Sequence, residues 1–425
     1  MPVRTARPWC GRFIRPTRTR PVTEPAMPSS AQAGQPHANG TPPSSLAKEG
    51  FHAYPWWSPR FWHGMPLGVW MGLLAEHRWR ASPTRWPLVG TITAASAFNS
   101  IATPLSRARY ARQLREAEPR PDPLFIIGHW RSGTTLLHEM LMLDERFFCP
   151  TTYQCFAPGH FLLTESLLTR ALSWIMPAKR PMDNVEAGWH RPQEDEFALV
   201  NLGADSPYRR MAFPATASNE PVALDIERLS PEARRRWEAT FHDFLRSLVV
   251  RDPRRPVLKS PPHTARMRVL LEMFPEARFL HIVRDPLVVF PSTMRLWRSL
   301  DHVQGLQVDS GERLEAYVLE TFVRMYEAFE RDRPSIPPDR LHEIRYEDLI
   351  ENPVGLLETA YEQLALGDFE TMRPAFVRQA ERMRGYRRNR YALDEATAAK
   401  VGDRWAGFFD RYGYRFEPAG ADERR

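Results

Sequence analysis

Cysteine is nearly absent from this 425-residue chain: Cys10, Cys149 and Cys155 are all it has. Three thiols so placed give neither a zinc spacing nor a disulfide framework. No metal is expected, and a reducing compartment, the cytoplasm, is the simple reading. The chain also lacks an uninterrupted apolar run of signal-peptide type near its start. It lacks any helix-turn-helix or RNA-binding signature, and its arginines are spread along the chain. Nucleic acid is therefore not an expected partner, although the net charge is +7. That charge favours an anionic partner without separating a nucleotide from an acidic membrane.

Hydrophobic residues make up 43% and charged residues 26%, ordinary for a globular protein. The length is enough to bury a large core, and one α/β domain with extensions is expected. Residues 1–50 are rich in Pro, Arg, Ser and Ala without apolar periodicity, and read as a disordered basic tail. A second methionine, Met27, lies inside it. Residues 51–120 read as a helical, aromatic-rich segment in which Trp56, Trp57, Phe61, Trp62, Trp70 and Trp79 alternate with Arg60, His63, Arg78 and Arg80. Trp86 to Ser106 carries no Asp, Glu, Lys or Arg, and about 20 apolar residues suffice to span a bilayer. Yet Thr91, Thr93, Ser96, Asn99, Ser100 and Thr103 interrupt it. It reads as a helix packed on the domain or lying at a membrane interface, with peripheral contact to the cytoplasmic face of a membrane as one expectation.

From residue 121 to 425 the pattern is that of the main domain. Leu124 to Ile127 is a short apolar run ending at Gly128, and Leu136, Leu137, Met140 and Leu141 then recur at helical spacing. Val257-Leu258 opens a second unit, followed by a Pro-rich turn and a helix over 264–274. Phe279 to Val283 opens a third, followed by Arg284-Asp285-Pro286, with Asp285 as N-cap and Pro286 in the first helical turn. Buried strands alternating with helices predict a three-layer α/β sandwich, a central parallel sheet flanked by helices. In such sheets ligands bind beyond the carboxyl ends of the strands.

Gly128-His129-Trp130-Arg131-Ser132-Gly133-Thr134-Thr135 joins the first strand to its helix. Gly133 lets an anion approach the backbone, and the helix N-terminus supplies N–H groups and the positive dipole end. The spacing is that of a Walker A loop, but Thr134 stands where the lysine would be, and the cation has moved to Arg131. Without that lysine and a clear Walker B aspartate, the loop is poorly equipped for Mg²⁺ and a γ-phosphate. A P-loop kinase or NTPase is thus the weaker alternative. A catalytically silent nucleotide-binding protein is another.

The run from Leu124 through Leu137 resembles the 5′-phosphosulfate loop of sulfotransferases that use 3′-phosphoadenosine 5′-phosphosulfate (PAPS), and its R-S-G-T-T form is similar to the bacterial and tyrosylprotein branches. The resemblance covers about residues 123–415. It implies a P-loop-like fold, PAPS as co-substrate and no metal. It places Arg131, Ser132, Gly133, Thr134 and Thr135 on the 5′-phosphosulfate. It places Arg284, with Ser292 eight positions later, on the 3′-phosphate. Arginine suits a phosphate through charge-assisted bonds. Arg390, within Arg387 to Tyr391, matches a basic segment that closes over the nucleotide. Lys259, after the second strand, matches the lysine that stabilises the leaving group, a role that an ammonium fits on electrostatic grounds. The stretch Ile344 to Leu349 matches a structural Y-E-D-L strand–helix.

The acceptor hydroxyl must lose a proton. His263, four residues after Lys259, is one candidate base. The acidic group Glu194-Asp195-Glu196 is the other, although three adjacent acids also suit a solvated helix N-terminus. His160 and His190 stand behind them. Between the loop and Lys259 lie Phe147, Phe148, Tyr153, Phe156, Phe161, Leu162, Trp174, Ile175 and Trp189. This apolar supply favours a lipidic or hydrophobic hydroxyl acceptor, with a tyrosyl peptide, a carbohydrate and a small phenol still open.

Overall fold

Five short strands form one fully parallel sheet, in the order β2-β3-β1-β4-β5. They are β1 (Leu124–Ile127), β2 (Phe147–Phe148), β3 (Arg255–Lys259), β4 (Arg278–Val283) and β5 (Leu341–Arg345). The structure is a computed structural model and describes residues 58–172, 174, 188–218, 220–383 and 393–415. The three strands expected from apolar runs are present. Phe147 and Phe148, read from sequence as part of an acceptor region, instead pair with Arg255 and Pro256 as the edge strand.

The apolar run is continuous in β1, and interrupted by His281 alone between Phe279 and Val283 in β4, because helices cover both faces. Phe125, Ile127, Leu258, Phe279 and Val283 point into one core. Leu124, Ile126, Val257, Leu280 and Ile282 point into the other, as the two-residue period of a strand requires. The larger core takes Trp237, Phe241, Phe244 and Leu248 from the Pro231–Arg251 helix. The smaller is closed by the Thr134–Leu141 and Pro353–Gln363 helices. The Asp285 side chain accepts from the Leu287 backbone N–H at 2.8 Å, so the Pro286–Gln304 helix starts where its cap and proline predict.

Gly50–Arg425 is one compact unit. The segment set apart in the sequence as 51–120 therefore shares the core over its described residues: Trp62 and Trp70 are fully buried in the same cluster as Phe125 and Phe241. The expected helix runs Trp86–Arg109 and is long and apolar enough, by length and composition, to cross a bilayer. Thr93, Asn99, Ser100 and Thr103 face the protein. Thr93 accepts from the Trp70 indole at 2.9 Å, and Ser100 from the Leu67 N–H at 2.7 Å. Asn99 donates to the carbonyls of His63 and Met65 and meets His160 Nε2 at 2.9 Å. Thr103 lies against Gly159, where a Cβ would come within 2.5 Å of its hydroxyl.

Candidate active site

The carboxyl ends of β1 and β3 lie side by side, with Ile126 level with Lys259. Beyond β1 the loop turns back through three residues of positive φ: Gly128 at 142°, Arg131 at 68° and Gly133 at 110°. At Gly128 a Cβ would come within 2.4 Å of the Ile282 carbonyl, and at Gly133 within 2.4 Å of the Tyr346 ring. Only glycine fits either place, by conformation and by space. The Gly128 N–H donates to Thr264 Oγ1 at 2.7 Å, and the Ser132 hydroxyl to the His129 carbonyl at 2.7 Å. Thr134 and Thr135 begin the helix there, so the first N–H groups of that helix have no intrahelical partners.

The residues expected at the phosphates converge. Arg131 Nε donates to Ser292 Oγ at 2.9 Å, and Arg284 donates to the Arg131 carbonyl at 3.1 Å. The Arg284 guanidinium sits 4.0 Å from the Tyr346 ring centroid. Two guanidiniums, a hydroxyl and a helix N-terminus thus share one patch, an arrangement suited to a polyanion. Tyr346, predicted only as part of a structural strand–helix, is the residue that touches both the glycine and the arginine. Arg390 lies outside the described residues.

Lys259 ends β3 with its ammonium enclosed. Its Nζ lies 2.7 Å from Glu194 Oε1, and 2% of the side chain is exposed. Glu194 occupies the N-cap position of the Asp195–Asn201 helix but does not cap it. Its other oxygen accepts from the Tyr208 hydroxyl at 2.5 Å, and that hydroxyl accepts from the Trp130 indole N–H at 2.9 Å. A hydrogen-bonded chain therefore runs from the phosphate loop to the lysine: Trp130, Tyr208, Glu194, Lys259. Burial and the adjacent Glu194 carboxylate push the Tyr208 phenol well above its ordinary range, which keeps it a donor.

The three adjacent acids part company at the helix start. Asp195 and Glu196 are fully buried, not solvated. Asp195 accepts from Ser260 at 3.0 Å and meets His263 Nε2 at 2.6 Å. Burial acts to raise its pKa, but His263 and Ser260 outweigh it and hold the carboxyl below its ordinary value. Glu196 binds both terminal nitrogens of the buried Arg266, at 2.7 and 3.0 Å. His263 has no exposed surface, and its ring packs on Phe125 and Phe241, 5.3 and 5.5 Å away. Of the four residues expected at the chemistry, Lys259 and Glu194 stand together at the loop. His263 and Asp195 are paired with each other, and both side chains are fully buried. His160 is buried in the Asn99 contact, and His190 is exposed. Among the described residues no three or more His, Cys, Asp and Glu side chains group as a metal would need.

Tyr208, Thr264 and Tyr346 were not singled out by the sequence. Thr264 follows the Lys259 segment closely and could have been; Tyr208 sits in the Pro207–Ala212 turn, with no motif around it.

Residues 123–370 match the family model described as Sulfotransferase family. An omega-hydroxy-beta-dihydromenaquinone-9 sulfotransferase, Stf3, of Mycobacterium bovis is 38% identical over 358 residues, covering 84% of this chain and 92% of that protein. The protein of the same name from Mycobacterium tuberculosis matches equally. The crystal structure of sulfotransferase STF9 from Mycobacterium avium superposes with a TM-score of 0.62 at 18% identity, over 83% of this chain and 98% of that one. That of sulfotransferase STF1 from Mycobacterium tuberculosis gives 0.55 at 19% identity, over 80% and 91%.

Proposed function

Because the chain belongs to the sulfotransferase family, and is a sulfotransferase, we propose that it moves the sulfuryl group of PAPS onto the hydroxyl of a lipid-tailed acceptor, with Glu194 as general base and Lys259 at the leaving oxygen. The Lys259–Glu194 pair at the mouth of the Gly128–Thr135 loop carries this reading. In the transfer the S–O bond to the 5′-phosphate breaks, and a new S–O bond forms to the acceptor oxygen. Charge then grows on the departing phosphate oxygen, where an ammonium is most effective. The acceptor proton needs a base within reach, and Glu194 is the carboxylate beside Lys259 that keeps an exposed edge, 16% of its side chain.

The donor fits the residues present. Gly128 and Gly133 leave a cradle that a Cβ would fill, and Arg284 and Ser292, both bonded to Arg131 of the 5′-phosphosulfate loop, supply a cation and a hydroxyl for the second phosphate. Thr134 in place of the Walker lysine argues against a triphosphate. His263 and Asp195 act, in this reading, as buried support for the turn after Lys259.

The acceptor class rests on the relatives that act on omega-hydroxy-beta-dihydromenaquinone-9, a hydroxyl at the end of a long isoprenoid chain. Such an acceptor brings with it peripheral contact with the cytoplasmic face of a membrane.

Calorimetric titration with adenosine 3′,5′-bisphosphate in EDTA tests the donor site, with ATP and GTP as comparisons. Tight bisphosphate binding without metal supports it, and preference for a triphosphate with Mg²⁺ overturns it. Transfer of ³⁵S from labelled PAPS to an omega-hydroxylated prenyl quinol in detergent micelles tests the acceptor. Labelling of a phenol or a peptide instead would move the assignment to that class.

A further inference from the structure

The Trp86–Arg109 helix is amphipathic with its polarity turned inward over most of its length. Thr93, Asn99 and Ser100 make hydrogen bonds to the protein. The residues turned outward before Arg107 are Trp86, Pro87, Gly90, Ala94, Phe98, Ile101, Pro104 and Leu105. Phe98, Ile101 and Leu105 are 47, 64 and 57% exposed. The stripe contains no polar side chain over about 30 Å of helix. On the Phe161–Ala171 helix, which packs against it, Leu163 and Leu167 are exposed as well. Contiguous apolar surface of this kind marks an interaction site.

The charge beside the stripe identifies what covers it. No acidic residue lies on the helix, and its C-terminal end runs directly into exposed Arg107, Arg109, Arg112 and Arg115; Arg107 lies 3.8 Å from Asp243 and Arg112 2.9 Å from Glu116, both exposed pairs that water screens. An apolar face bordered by arginines matches an anionic bilayer, acyl chains against the stripe and headgroup phosphates against the guanidiniums. The inward polar contacts keep the helix on the protein, so it lies in the membrane plane and does not cross. The same helix packs on the Phe61–Gly64 turn, which packs on the Asp195–Asn201 helix that Glu194 precedes. We propose that the outer face of Trp86–Arg109 docks the enzyme on an anionic membrane surface, within one layer of the base. The purpose of this docking, delivery of an acceptor from the bilayer, rests on the lipid-acceptor reading; the docking itself does not.

Co-sedimentation of the full chain tests this, using acceptor-free vesicles of phosphatidylglycerol and phosphatidylcholine in equal parts and vesicles of phosphatidylcholine alone. The wild type should partition onto the anionic vesicles at least tenfold more strongly than the triple variant F98S/I101S/L105S, and several-fold more strongly than onto the neutral ones. Unchanged bisphosphate binding by the triple variant shows that it has folded. Should it not fold, Ile101→Ser alone should still bind several-fold more weakly, and Val377→Ser, an exposed apolar residue on another helix, should bind as the wild type does. Wild type left in the supernatant, or variants that bind as tightly as it does, would overturn the proposal. So would a dimer that the triple variant dissolves without any vesicle binding, which would give the face to a second copy of the chain. Since no acceptor is present, failure of the lipid-acceptor reading shows separately, as absence of label in the micelle assay.

Discussion

Lys259 and Glu194 form an enclosed ion pair, 2.7 Å from ammonium to carboxylate. Each is the partner the other needs, because a buried charge without its counter-charge is costly. Their proposed tasks differ, and substitutions separate them. Glu194→Gln should lower kcat by roughly 10²–10⁴, the usual worth of a general base. Lys259→Ala should lower it by about 10²–10³, as removal of a transition-state donor does. Both should keep adenosine 3′,5′-bisphosphate affinity within a few-fold. Initial rates and calorimetry on the same preparations decide this, and full turnover in Glu194→Gln would move the base elsewhere.

The buried pair His263–Asp195 should respond in another currency, stability. Asp195→Asn and His263→Gln each break a buried interaction worth about 3–5 kcal/mol when one partner is removed. Urea unfolding should show the loss, while kcat of the folded fraction stays within a few-fold. A hundredfold fall in kcat with unchanged unfolding would return His263 to the chemistry.

At the phosphate patch, Arg284→Ala should weaken bisphosphate binding roughly 10- to 150-fold, the equivalent of about 1.5–3 kcal/mol for a bond to a charged group. Ser292→Ala should cost about fivefold or less, since a neutral hydrogen bond is worth less. The two substitutions should be non-additive, because Arg131 bridges both residues. Calorimetric dissociation constants for the single and double variants check the order and the coupling.

Stability should fall with acid through buried neutral histidines. Burial holds His160 down to about 4, against a smaller upward pull from its backbone hydrogen bond. His63 is held at about 4 and His129 at about 3, chiefly by burial. An unfolded histidine titrates near 6.5. Below that pH the unfolded state takes up protons that the folded state refuses, so stability drops between pH 6.5 and about 4. His160 alone contributes about 2 kcal/mol of this at pH 5. Thermal unfolding from pH 7 to 5 should show a falling Tm in the wild type and a shallower fall in His160→Gln. Parallel curves would remove His160 from the account.

What could be read from the sequence is what local pattern encodes. β1 and β4 stood out because strands covered on both faces are largely apolar runs, and β3 through Val257-Leu258 ahead of a proline-rich turn. The loop stood out because its glycines, Arg131 and the threonines lie within eight residues. β2 escaped notice because two residues have no pattern. His263 drew attention by lying close to Lys259 in the chain. Within the Pro261–Ala265 turn it is instead buried, its ring packed on Phe125 and Phe241 and paired with Asp195. Glu194, Asp195 and Glu196 are consecutive, yet entry into the helix sends them to Lys259, His263 and Arg266 respectively. Tyr208 and Tyr346 act through tertiary contact alone, which no spacing along the chain reports.

The contact between Gly133 and the Tyr346 ring bears on how the protein is made. The phosphate loop is among the first parts of the sheet to leave the ribosome, but Arg284, Ser292 and Tyr346, which hold its shape, emerge much later. During synthesis the loop waits, unsupported, for most of the chain to follow. A nascent chain that ends before β5 therefore carries the loop's full sequence but lacks the Tyr346 ring that packs on Gly133.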